Sequence, residues 1–459
     1  MANCVTVDIR QIIDGRKLGF PIHDPRGVLL LAAGTVFTED HRRRLVARRV
    51  TRVIMNADDA AKSTVPAGDD NTEQELMRLD KKLTDGLDSL IRSGMLSGRN
   101  SGPAVLNSLV RHGTKPCDPE RVKQLVERHA AASAKLDALI KADAAGEKPD
   151  GSQIGGVADA CVESLIADID SALHMTGLKN VDPTLAEHAL NVSLLGIAIG
   201  IDMGLDAANV RTVGICGLVQ DLGMAKVPEQ IRNARRRLSP SEAVDIQRHA
   251  IHTANILEHV KGIPPLVQLV AYQVHERPDG SGYPRGREKM CIHPFARILH
   301  VADAYLAMTA QRPFRPPLMP YAAMECLVRQ AEKNQVDSDV VRSLLRVLSL
   351  FPIGSFVRLS DGRVAQVVRS NAHSFVRPIV AIVEDSSGNA VNAADETALV
   401  NLSGSDLSVR EALPTPGTDQ IPLSPEVADW SIRVARFLPD EERRRMAAHP
   451  PISRLQPAS

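Results

Sequence analysis

The amino-acid sequence predicts a multidomain, mainly α protein: a large helical bundle that carries a small N-terminal α/β or β-rich module and a small C-terminal all-β appendage. Three observations predict it. Apolar residues recur at helical spacing through nearly every segment of 157–350. Near the start, the apolar runs LGFPIHD and VLLLAAG flank Asp24-Pro25-Arg26-Gly27, a turn sequence, so residues 1–56 read as a hairpin-bearing module. After Phe351-Pro352 the helical period stops. β-branched runs then alternate with Ser360-Asp361-Gly362 and Ser387-Gly388-Asn389, as hairpins require, over 351–403. A length of 459 residues agrees with several domains at roughly 150 residues each.

Within the first module, Thr38 followed by Glu39 and Asp40 marks a helix start, because a hydroxyl cap and acidic residues suit the first turn. The helix it opens, HRRRLVARR, is short and basic and reads as a solvated face or, alternatively, an anion or partner patch. Residues 57–156 read as linker and helices: a polar linker over 57–75, then Leu76, Leu79, Leu83, Leu87 and Leu90 at helical spacing. A second helix over 120–142 stops before the Gly/Pro-rich EKPDGSQIGG. Both helices suit an intramolecular bundle or pairing between two copies equally well, so a homodimer stays open. The block 157–350 is broken by loops at 205–209, 223–240 and 277–294, and should hold the main core. The Pro-rich residues 404–459 read as a mostly flexible tail with one short helix.

Composition excludes several functions. Lys and Arg together number 55, Asp and Glu also 55, so no global field draws the chain to a nucleic acid polymer or an anionic membrane. Eight Phe, four Tyr and one Trp are too few for base-stacking platforms. The longest apolar stretch, 189–205, is interrupted by Asn191, Ser193 and Asp202 and reads as falling short of a membrane span. No signal-peptide pattern opens the chain. Six scattered cysteines without a C-x-x-C pair argue against a disulfide framework or a zinc ribbon, and for reduced thiols in a cytoplasm.

Histidine is concentrated. Seven of 14 (His188, His249, His252, His259, His275, His293, His300) lie between 188 and 303. Asp221 ends the apolar helix NVRTVGICGLVQ, and Asp303 sits inside the apolar FARILHVADAYLAM, where a carboxylate needs a cation, a metal or a strong donor. Imidazole and carboxylate are the donor set of zinc, iron or manganese, and one carboxylate can bridge two ions.

The run ERPDGSGYP (276–284), followed by FARILHVADAY and QRPFR (311–315), resembles the HD-GYP family of metal-dependent phosphodiesterases. The resemblance covers about 180–350, and FPIGSFVRLSDG is similar to the segment that often follows this domain. It implies a helical bundle, a role in bacterial signal transduction, cyclic di-GMP as the ligand and two or three divalent ions, commonly iron or manganese. Carried over by position, it implies His188, Asp221, His249, His275 and Asp303 as metal ligands, with Asp221 shared between ions and central to catalysis. Other positions depart from the pattern. Gln220 stands where the family has the His of its His-Asp pair, Val274 where it has the first of two adjacent histidines, and Met224 where it has a Lys, with Lys226 two residues further on. Thr184 stands where three-metal members carry a Glu. Arg312 and Arg315 match the residues that face the dinucleotide's phosphates, a task guanidinium forks suit. Gly282, Tyr283 and Pro284 match the named motif, whose loop in relatives also contacts signalling proteins. Arg235-Arg236-Arg237 reads as a solvated loop or an added phosphate attraction. His252, one turn from His249, is a candidate stray ligand; His259 and His293 read as surface and loop residues. The expectation is a phosphodiesterase-like signalling protein whose hydrolysis is weak or lost while nucleotide or partner binding is kept. The alternatives are a fully active cyclic di-GMP phosphodiesterase giving pGpG or GMP, and hydrolysis of another phosphate ester.

Overall fold

A computed structural model describes residues 4–9, 12, 17–24, 27–38, 41–42, 44–45, 48, 50, 52–63, 85–86, 98–110, 112–113, 118–144, 151–177, 184–234, 236, 238–311, 316–371, 374–392 and 398–422. The chain forms two compact units, residues 1–86 with 229–246, and residues 87–228 with 247–459. The helix expected over 74–92 lies outside the described residues except for 85–86.

The first unit holds a four-stranded antiparallel sheet of β1 (Cys4–Asp8), β2 (Ile22–His23), β3 (Leu29–Leu31) and β4 (Arg52–Asn56), in the order β1-β4-β2-β3. The turn before β3 is closed by Asp24, whose carboxylate accepts from the Val28 N–H, and by Gly27 at φ 84°, a conformation glycine adopts without strain. Alternation along β4 buries Val53 and Met55 against Val7, Ile9, Ile22 and Phe37. The sequence reads 57 onward as linker, but β4 runs straight into α1 (Ala57–Ser63), because the Asn56 side chain accepts from the Asp58 N–H as a cap. The basic run is not simply a solvated face either. Arg42 is buried, donates to the Ile9 and Ile12 carbonyls at 2.6 and 2.8 Å, and lies over the Phe37 ring. In the 229–246 part, Arg236 pairs with Glu242 at 2.6 Å; Arg235 and Arg237 lie outside the described residues.

The second unit is built on helices α2 (Pro119–Ala144), α3 (Gly151–Ala167), α4 (Ile169–Gly177), α5 (Leu185–Asp202), α6 (Ala207–Val219), α7 (His249–Glu258), α8 (Pro265–Gln273), α9 (Pro294–Thr309), α10 (Pro320–Glu332) and α11 (Ser338–Leu348). Helix α3 starts at Gly151, inside the stretch that reads as a Gly/Pro-rich break. α5 is the axis of the bundle. Thr184 and Glu187 form a reciprocal capping box at its start, and its side chains from Ala186 to Ile201 are almost all buried. By length and composition α5 could cross a membrane, contrary to the sequence reading, yet 78% of the relevant window is buried inside the unit. It packs against α6 so closely that a Cβ at Gly217 would lie 2.7 Å from the Ser193 Cα. Two residues after that contact α6 ends at Val219, with Gln220 as its C-cap and Asp221 next in the chain.

At its C-terminal end the same unit carries an antiparallel sheet of β5 (Phe356–Leu359), β6 (Val364–Arg369), β7 (Ile379–Glu384), β8 (Leu399–Asn401) and β9 (Val409–Leu413), in the order β8-β7-β6-β5-β9. β9 comes from the segment the sequence places in a flexible tail. It is an edge strand in which the adjacent Arg410 and Glu411 are both exposed, so it lacks the apolar alternation that would announce it. Beyond it, Leu318 and Ile421 form a parallel bridge. The rest of the tail, 423–459, including the expected short helix, lies outside the described residues.

One buried ion cluster ties β6 to α4. Arg369 Nη1 donates to Asp168 Oδ1 at 2.7 Å and also reaches Asp170 at 3.4 Å. Burial opposes charge on Asp168, but the Arg369 and Ser171 hydrogen bonds overcome it and hold the carboxyl down at about 2. Removing the guanidinium would strand these carboxylates, so Arg369→Ala should lower stability by about 3–5 kcal/mol in a urea titration.

Candidate metal centre

Five residues from five segments converge. His188 comes from the first turn of α5, Asp221 follows α6, His249 opens α7, His275 follows α8, and Asp303 lies mid-way along α9. His188 Nε2 stands 2.8 Å from Asp303 Oδ1 and 3.9 Å from Asp221 Oδ2. His249 Nε2 is 3.3 Å from Asp221 Oδ1, His275 Nε2 is 3.7 Å from the same oxygen, and the two Nε2 atoms are 2.9 Å apart. Asp221 therefore turns one carboxylate oxygen to each side. The result is two groups of three donors, His188-Asp221-Asp303 and Asp221-His249-His275, each with its ligand atoms within 4.8 Å of one another.

Burial raises the cost of charge on Asp221, but the hydrogen bonds and charges of His249 and His275 reverse that and hold it well below the usual carboxylate range. For Asp303, burial again opposes charge, and His188 brings the carboxyl down. Both acids are thus poised as anions among imidazoles, a donor set that fits zinc, iron or manganese.

Backbone packing holds Asp221 in place. Thr253 Oγ1, on α7, accepts from the Gly223 N–H at 2.8 Å and donates to the Gln220 carbonyl at 2.9 Å. A Cβ at Gly223 would collide with the His249 carbonyl oxygen and lie 2.6 Å from the Thr253 nitrogen. The GYP loop does the same for His275. Tyr283 N–H donates to the His275 carbonyl at 3.1 Å, and its ring stacks on the imidazole with centroids 4.9 Å apart. A Cβ at Gly282 would lie 2.5 Å from that carbonyl oxygen, so only glycine allows the loop to fold back. Pro284 continues the loop, and the buried Glu276 carboxylate accepts from the Arg285 and Arg287 N–H groups at 2.7 and 2.8 Å. Burial pushes Glu276 up to about 7 against those donors. Thr253 carries no motif that marks it in the sequence, Glu276 opens the run ERPDGSGYP but has no role assigned to it there, and Gly223 stands only as a glycine two residues after Asp221.

The divergent positions are equally definite. Gln220 is fully buried, and neither its Oε1 nor its Nε2 has a hydrogen-bond partner, an expensive state for an amide and one a coordinated ion or water would relieve. Val274 is fully buried and apolar. Met224 is part-buried and Lys226 exposed on the short turn after Asp221. Thr184, the helix cap, is exposed. His252 and His300 join neither donor group. His300 is buried, which pushes its imidazole down to about 3. His293 is not a plain loop residue, since its Nδ1 accepts from the Phe295 N–H and caps α9. His259 is exposed as read. Arg312 and Arg315 lie outside the described residues.

The family model for the HD domain matches residues 170–340, and one for a KOW domain associated with the HD domain matches 356–407. A cyclic di-GMP phosphodiesterase of Pseudomonas aeruginosa is 30% identical over 288 residues, 61% of this chain and 69% of that protein. The chain belongs to the HD-GYP family of HD domains. A 3'3'-cGAMP-specific phosphodiesterase of Vibrio cholerae is 31% identical over 160 residues, 35% of this chain and 37% of that protein. A solved HDG"Y"P protein from Bdellovibrio bacteriovorus is 14% identical, with a TM-score of 0.42 over 75% of this chain and 99% of that one. HD domains are metal-dependent, and the two donor groups are where this HD-GYP chain could hold ions.

Because Asp221 serves both groups, Asp221→Asn should abolish binding of both ions, whereas His188→Ala should lose one and keep the other. Elemental analysis of protein dialysed against manganese checks both. Gly223→Ala should cost about 1–3 kcal/mol through overpacking and reduce metal content as well, since the collision falls on the backbone that aligns His249 with Asp221.

Proposed function

We propose that this chain is a cyclic di-GMP-binding signalling protein of the HD-GYP family in which metal-dependent phosphodiester hydrolysis is weak or lost. The observation that carries this reading is Gln220. Its buried amide stands next to the shared carboxylate, at the position where the family resemblance puts an imidazole. A neutral amide oxygen is a weaker ligand than imidazole, and Val274 offers none at the second divergent position. With Met224 in place of a lysine, a cation near the reacting phosphate is missing too. Loss of one preorganised charge or donor costs on the order of 10²–10³ in kcat.

When bound, divalent ions supply positive charge that acidifies a water and neutralises phosphate oxygens. Asp221 sets the spacing of the two positions through its two oxygens, His188 and Asp303 complete one, and His249 and His275 the other. Tyr283 holds the plane of the His275 ring. Arg312 and Arg315 orient the dinucleotide through its phosphates. The loop of Gly282, Tyr283 and Pro284 faces partner signalling proteins, and the chain works in the cytoplasm with iron or manganese.

A second reading, an active phosphodiesterase releasing pGpG or GMP, is favoured by the two three-donor groups that Asp221 joins despite those replacements. Anaerobically purified protein incubated with cyclic di-GMP and manganese or ferrous ion separates the two when the nucleotides are chromatographed. The expected result is tight binding with turnover at least a hundredfold below an active relative. Rapid metal-dependent cleavage that vanishes in Asp221→Asn would replace the first reading with the second. The double variant Gln220→His, Val274→His should raise the rate by tenfold or more if the missing imidazoles limit it.

A further inference from the structure

An open groove of about 540 Å³ runs between α10, α11 and the turn before β7. Val328 and Ala331 line it from α10, Val341 and Leu345 from α11, and Phe375 from the turn, with Glu332 and Arg342 at its rim. Phe375, like its neighbour Val376, is 44% exposed. Its exposure is not slack, since the Phe375 carbonyl accepts from the Leu350 N–H at 2.8 Å and from the Ser349 hydroxyl at 2.7 Å. The backbone is pinned while the ring faces outward.

The chain itself supplies a segment of matching chemistry. Ser424-Pro425-Glu426 is a helix-start sequence, a capping serine followed by proline and an acid, and Pro439 would end the helix. Between them, Val427, Trp430, Val434 and Phe437 fall on one face at spacings of three and four. Asp429 and Arg433 flank that stripe and complement Arg342 and Glu332.

Position and reach agree. Ile421 bridges Leu318 in parallel: its N–H donates to the Pro317 carbonyl at 3.0 Å, and its carbonyl accepts from the Met319 N–H at 2.9 Å. Leu318 lies two residues before α10 begins, so at Ile421 the chain runs beside the entry to α10 and in the same direction. At about 3.3 Å per extended residue up to Ser424 and Pro320 and about 1.5 Å per helical residue after them, a helix begun at Ser424 would bring Trp430 level with Val328. We infer that residues 424–438 dock in cis as an amphipathic helix in this groove, with Trp430 and Val434 against Val328, Leu345 and Phe375.

Trp430 is the chain's one tryptophan, so the full-length protein reports on itself. The expected result is blue-shifted emission protected from acrylamide. Phe375→Glu should move it to the emission of free indole and raise the quenching constant several-fold, with far-UV circular dichroism confirming the fold. Val434→Glu should do the same without touching the groove, which guards against a groove variant that merely misfolds. An exposed tryptophan in the unaltered protein overturns the inference. So does a buried one indifferent to both substitutions, or protection that disappears on dilution together with a dimer seen by light scattering, which would assign the groove to a second copy.

Discussion

The metal centre depends on the placement of one carboxylate. Asp221 can serve two ligand sets only if its two oxygens face opposite ways, with His249 and His275 on one side and His188 on the other. That geometry demands close packing. α6 lies against α5 at a glycine contact, and the turn after α6 lies against α7 at another, so that three helices meet around a side chain only four atoms deep. Electrostatics follow from the packing. A carboxylate this buried would normally resist ionisation, and it is the ring of imidazoles that makes its charge tolerable.

Much of this was legible in the sequence because it was written in residue types with strong chemical meaning. The density of histidine between 188 and 303, together with acids in apolar helices, pointed to a mixed nitrogen and oxygen donor set, and ERPDGSGYP pointed to the family. The helical block and both β-rich ends followed from hydrophobic period. What escaped was carried by residues whose role is made by their neighbours. Thr253 becomes a clamp only because Gly223 and Gln220 arrive beside it, and Glu276 becomes a staple only because the loop folds back to it. Arg42, read as part of a charged surface, turns inward because the Ile9 and Ile12 carbonyls just after β1 take its donors. β9 is an edge, and an edge strand needs no apolar alternation to pair.

The two parts of the second unit are joined by apolar and ionic contacts together. Leu350 and Ala412 pack against both apolar clusters and Tyr321 of α10 stacks on Phe351, while between β6 and α4 the contact is ionic, with Arg369 shared by Asp168 and Asp170. An ion cluster of this kind fixes orientation more sharply than it adds stability, because hydrogen-bond geometry is directional and apolar contact is not.

The Thr253 clamp has a bearing on how such a centre changes over time. It grips the backbone at residues 220 and 223 and makes no use of the side chain at 220. Position 220 can therefore be exchanged, imidazole for amide, without disturbing the carboxylate beside it. Scaffold and donor are separable here, because the backbone that places Asp221 does not depend on which side chain stands at 220.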